Sequence, residues 1–167
     1  MKRIVSLLLI FYILLSGCGK QSESLYNKPS YFYYPMVEIT MSDPNGVIAY
    51  EIREGADFAS EQALLEAYLL GPKDNSMYSP FPVGTQIVDC VILDNRISVT
   101  FSNEFDQLTG VSFTLATSCI AMTLLSSLPL SEVDISILSE NETVERTITL
   151  TKDQILLSDT YMAPPAG

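Results

Sequence analysis

The sequence predicts a single small α+β domain: an α-β-β-α-β core with extra N- and C-terminal strands, its helices packed on one mostly antiparallel sheet. Three stretches carry that expectation. Residues 79–103 (SPFPVGTQIVDCVILDNRISVTFSN) read as two apolar strands around the turn pair Asp94-Asn95. Residues 61–70 have a helical apolar face and stop at Gly71-Pro72. Residues 107–131 contain no charged side chain and lead into the alternating run EVDISIL.

The hairpin is expected to be the centre of the sheet. Pairing Leu93 with Arg96 sets Ile92 opposite Ile97, Cys90 opposite Val99 and Val88 opposite Phe101, all on one apolar face. A slip of one residue would turn Cys90, Val99 and Phe101 towards water. Both turn residues tolerate the positive φ that a type I′ turn demands.

At the N-terminus, Lys2-Arg3 precedes an apolar run, Ile4–Leu15, too short to span a bilayer comfortably as a helix. Leu15-Ser16-Gly17-Cys18 then has the form of a bacterial lipobox: an aliphatic residue, two small residues that admit a peptidase, and a thiol to carry diacylglycerol. Residues 1–17 are therefore expected to be a lipoprotein signal peptide. Cys18 is the lipidation site, residues 18–30 a polar tether, 31–161 the domain and 162–167 a flexible tail. Two or three acyl chains on Cys18 would hold the protein on the membrane, on the outer face of the cytoplasmic membrane, without a transmembrane helix.

Without Lys2 and Arg3 the chain keeps seven basic residues against twenty acids, a net charge near −13. Such a surface repels phosphate backbones, so nucleic acid is not an expected partner. The acids are scattered, and Asp43-Pro-Asn-Gly46 lacks the further ligands of a calcium loop.

Along the domain, residues 31–40 and 46–54 read as strands joined by the Asp43–Gly46 turn. Ser60 is the expected N-cap of the first helix. A proline- and serine-rich loop follows, then the hairpin, a short turn at 102–106, and a helix over 111–127 ended by Pro129. Strands are expected at 132–138 and 143–150. The helix at 111–127 has two apolar stripes. Val111, Leu115, Cys119 and Met122 lie within about eighty degrees of one another, while Phe113, Ile120 and Leu124 gather on the opposite side. A helix without charge on either side is buried on both. Either other elements of the domain cover the second stripe, or Phe113, Ile120 and Leu124 contact a neighbouring subunit or partner.

The segments LLEAYLLGP (Leu64–Pro72) and VTFSNEF (Val99–Phe105), the Pro82-x-Gly84-Thr85 approach to the hairpin, and the element order together resemble the GerMN domain of sporulation and spore germination. The likeness spans residues 31–150 in one copy, where some members have two. It implies a core like that of ring-building secretion proteins, and a lipoprotein acting in envelope complexes. It brings no catalytic residue.

The chain has no His and no Trp, which removes Ser-His-Asp and Cys-His catalysis and the commonest zinc ligand. No glycine-rich phosphate loop is present. The pairs Glu51/Glu54 and Glu104/Asp106 are the available carboxylates, and Lys73 near Ser76 and Ser79 the one Ser/Lys combination; all read as solvated surface. No catalytic residue, cofactor or metal is expected. Cys90 and Cys119 could face each other, as a disulfide or as two buried free thiols. The expected function is a non-enzymatic, lipid-anchored module for assembling an envelope complex, with envelope or sporulation-complex proteins or a homo-oligomer as partners. The rivals are a cell-wall or small-ligand binding module using the aromatics at Tyr31–Tyr34, and an accessory to a peptidoglycan hydrolase. If Cys18 is the anchor, Cys18→Ala should leave unprocessed precursor and abolish acyl labelling while the domain still folds. Equal labelling of mutant and wild type would remove the anchor.

Overall fold

A computed structural model describes residues 29–38, 47–53, 58 and 60–155. The expected signal peptide, most of the expected tether, Cys18, the expected turn at Asp43–Gly46 and the expected C-terminal tail lie outside the described residues. The elements in order are β1 (Ser30–Pro35), β2 (Ile48–Arg53), α1 (Glu61–Leu69), β3 (Ile87–Leu93), β4 (Arg96–Phe101), a 3-10 turn (Asn103–Gln107), α2 (Gly110–Ser127), β5 (Glu132–Leu138), β6 (Val144–Thr151) and a second 3-10 turn (Lys152–Gln154). The expected α-β-β-α-β string is therefore α1-β3-β4-α2-β5. Ser30, placed in the tether by sequence, is the buried first residue of β1.

The strands form two sheets. β1 and β2 pair antiparallel on their own, and the larger sheet runs β3-β4-β5-β6. In it β4 pairs antiparallel with β3 and parallel with β5, and β6 closes antiparallel on β5. A parallel neighbour needs a crossover, and α2 supplies it. The hairpin is thus not the sheet's centre as a unit: β4 is central and β3 is an edge. Ile97, Val99 and Phe101 of β4 and Val133, Ile135 and Ile137 of β5 are fully buried on one face.

The hairpin register holds from Leu93↔Arg96 to Cys90↔Val99 and then changes. Phe101 pairs with Ile87, not Val88, because a bulge lies between Ile87 and Asp89. Val88 is the extra residue and is exposed. Of the two turn residues only Asp94 has positive φ (56°), so the turn is not type I′.

α1 is capped as its sequence requires. The Ser60 hydroxyl accepts from the Ala63 amide, and Gly71 (φ +84°) ends the helix in a conformation that glycine adopts freely. Leu64, Leu65 and Tyr68 are buried, and α1 packs on β3. Arg53 of β2 pins the helix end. Its guanidinium donates to the carbonyls of Ala67 (2.7 Å) and Gly71 (2.9 Å), pairs with Glu51 (2.6 Å) and lies 4.1 Å above the Phe32 ring. A cation at a helix C-terminus is favoured by the carbonyls left there.

α2 packs most extensively on β1 and also touches β5 and β6. Residues 116–125 are buried around the whole circumference except at Ser118, which is half-buried. The uncharged composition follows from this two-sided burial. β1 meets the helices with its free edge. The Tyr33 amide donates to Thr123 Oγ1 (2.9 Å), the Tyr33 carbonyl accepts from the Tyr68 hydroxyl, and the Tyr31 carbonyl accepts from the Ser127 hydroxyl (3.5 Å). Further along, the Tyr78 amide donates to Pro35 and the Val37 amide to Ser76. Pro35, which has no N–H, shares this outward parity with Tyr31 and Tyr33 and so removes no ladder bond to β2.

A chain of rings links the two sheets: Tyr34–Tyr68 (4.9 Å), Tyr68–Phe81 (5.1 Å), Phe81–Phe101 (5.7 Å) and Phe101–Phe105 (5.0 Å, stacked). Burial pushes the Tyr33, Tyr34 and Tyr68 phenols above the ordinary range. Thr123→Val keeps the volume of the side chain but removes the acceptor for Tyr33. It should cost about 1–3 kcal/mol in urea unfolding, whereas Thr114→Val, exposed on the same helix, should stay within about 0.5 kcal/mol. Equal effects would mean that the bond does not matter.

Candidate functional site

Of the residues expected to contact a partner, Ile120 and Leu124 are fully buried and belong to the core. The domain covers the second stripe itself, so these two offer nothing to a partner. Phe113 is half-buried; its ring stands 6.2 Å from Phe105 and carries the Arg146 guanidinium 4.6 Å away, which in turn pairs with Asp106 (3.1 Å). The first stripe is corrected too. Val111 at its start is exposed, because burial of α2 ends across the helix axis near Leu115.

The aromatic platform is also core. Phe32, Tyr33 and Tyr34 are buried, and only Tyr31 is partly accessible, which takes the surface from a ligand site built on them. The carboxylates are occupied rather than poised. Glu51 holds Arg53 and accepts from the Lys73 amide (2.8 Å). Glu104 accepts from the Ser102 hydroxyl, which lowers its pKa, the opposite of what a general acid needs. Glu54 lies outside the described residues. Cys90 and Cys119 are both free thiols. Burial raises both, Cys90 to about 11, so neither is an activated nucleophile. Among the described residues, no group of three or more His, Cys, Asp or Glu side chains could hold a metal.

What the fold does present is an open sheet edge. Among the described residues no strand pairs with the outer side of β3. A two-residue hairpin closes on a hydrogen-bonded pair, here Leu93↔Arg96, so bonding to β4 alternates and the backbone groups of Cys90 and Ile92 point to the open side. Leu93 is 72% exposed and Val91 49%, both on the sheet's outward face, with Val88 and Ile92 also accessible. Asp89 is the one charge in the strand. Neighbouring strands of that face are polar and internally bonded: Arg96 pairs with Glu132 and Asp134 (3.0 Å), Thr149 donates to Asp134 (2.6 Å), and Ser136 meets Thr147 (2.9 Å). Long apolar edges are normally blunted by charge. β3 has a bulge near one end and a single acid instead. The sequence hinted at this only in the low charge of IVDCVIL, which reads equally as a buried strand.

The family model for sporulation and spore germination, Germane, matches residues 31–145, from β1 to the start of β6. The chain belongs to this family. No curated protein matches it in sequence. Among solved structures, a Clostridium perfringens protein provisionally described as a lipoprotein is similar at 16% identity (TM-score 0.48; 75% of this chain, 89% of that one). The tandem GerMN domains of the Bacillus subtilis sporulation protein GerM are similar at 16% identity (TM-score 0.49; 77% of this chain, 44% of that one). The Germane match spans β3 and both helices, so the open edge lies inside the family domain.

Proposed function

We propose that this Germane-family chain is a lipid-anchored, non-enzymatic assembly module of the cell envelope, held at the outer face of the cytoplasmic membrane by Cys18 and acting in sporulation or germination. The observation that supports it best is β3: an unpaired edge carrying Val88, Val91, Ile92 and Leu93 at the surface of a chain whose net charge is −11. An extended segment of an envelope protein would add to this edge as a fifth strand. Main-chain bonds to Cys90 and Ile92 would give affinity, and Val91 and Leu93 would fill side-chain pockets in the partner. A lipid on Cys18 would hold the edge near the membrane. The polar, self-satisfied outer face beside it discourages non-specific association.

The double substitution Val91→Lys with Leu93→Lys tests this. Both side chains are exposed, so each should change stability by no more than about 0.5 kcal/mol. The variant should accumulate and anchor normally, yet run as the lone chain when solubilised sporulating membranes are sized, and show the sporulation or germination defect of a deletion. A variant that folds, keeps its complex and supports normal spores would overturn the reading.

A further inference from the structure

The open edge of β3 has a charge pattern of its own. Along the strand Asp89, Val91 and Leu93 share the outward face, and Asp94 follows at the turn. All four are exposed. The two accessible apolar side chains are therefore bracketed by two acids, and neither acid holds an ion pair among the described residues. Arg96, the cation across the hairpin from Leu93, reaches away from the edge: Glu132 and Asp134 of β5 hold its guanidinium. On the inner side α1 packs on β3. Burial raises the Cys90 thiol, and the charges of Glu61 and Asp89 raise it further, so the field beside this strand is negative. The Val88 bulge ends the regular edge and leaves residues 89–93 to pair.

We infer that the segment that adds to β3 is cationic as well as apolar: an extended stretch of a partner protein with two alternate apolar side chains against Val91 and Leu93, and a Lys or Arg at each end against Asp89 and Asp94. This rests on the reading of β3 as a docking edge and names the chemistry of what docks there. Opposite charges facing each other across paired strands are favourable and like charges unfavourable, so the acids select among strands that the main-chain bonds alone would accept. Other occupants fit less well. A second copy would bring its own Asp89 and Asp94 on a chain of the same charge, −11, and an anionic membrane surface would be repelled.

The test uses the full chain in neutral detergent at about 150 mM salt, where charges more than about 8 Å away are largely screened. The probes are two end-blocked peptides, Lys-Thr-Val-Thr-Val-Thr-Lys and the same peptide with Glu in place of both lysines, titrated against the amide NMR signals of Cys90 and Ile92. The lysine peptide should bind at least about tenfold more tightly. Asp89→Asn should cut that preference about threefold, while Glu145→Gln on β6 should leave it unchanged. Equal affinities, or a preference that Asp89→Asn lowers no more than Glu145→Gln does, would overturn the inference and leave β3 as a docking edge. No response to either peptide at millimolar concentration would remove the edge itself and the inference with it. So would Cys90 and Ile92 amides that already exchange as slowly as Val99 in the free chain, since the chain or a second copy would then cover its own edge.

Discussion

β1 carries its backbone edge into the interior, and the surrounding fold is arranged to satisfy it. A strand at the end of a sheet normally turns its spare N–H and C=O groups to water, since a buried amide without a partner costs about 1–3 kcal/mol. Here hydroxyls take the place of a third strand. Thr123 accepts from Tyr33, and Tyr68 and Ser127 donate to the carbonyls of Tyr33 and Tyr31. This arrangement accounts for three features at once. α2 has hydroxyls among its buried residues. α1 must present Tyr68 at a set height, and Arg53 holds the end of α1 at Ala67 and Gly71 to do so. A two-stranded sheet, marginal alone, becomes part of the core.

Much of this fold was legible in the sequence because local chemistry and global fold agree. Ser60 and Gly71-Pro72 delimit α1, and the alternation in β5 puts Val133, Ile135 and Ile137 inward. The absence of charge in α2 signalled burial on both sides. Other features were not legible for identifiable reasons. A helical wheel reports burial around an axis, not along it, so Val111 looked like core, and it left open whether the domain or a partner covers Ile120 and Leu124. One extra residue at Val88 shifted the end of the hairpin without disturbing its apolar pattern. Thr123 and Arg53 act over long sequence separations, where no local spacing marks them. β3, with its low charge, read as a central strand when it is an edge.

The functional picture follows from what the fold conceals and what it leaves open. Aromatics that could have formed a ligand platform are spent on linking two sheets, and Glu51, Glu104 and Asp106 are tied to Arg53, Ser102 and Arg146. Exposed apolar chemistry remains at β3 and at the start of α2, on different elements. Membership of the Germane family ties the chain to sporulation and spore germination. Of the proposed working parts the sequence pointed only to Cys18; the surfaces required the topology.

The most direct measurement of the central constraint is native-state hydrogen exchange at the Tyr33 amide, followed by NMR under increasing denaturant. If the hydroxyl seal is integral to the core, Tyr33 exchanges only through global unfolding, with the same opening free energy and denaturant dependence as Val99 and Ile135 in the large sheet. Exchange through small local fluctuations, insensitive to denaturant, would contradict it: β1 would then be an ordinary edge resting on the domain.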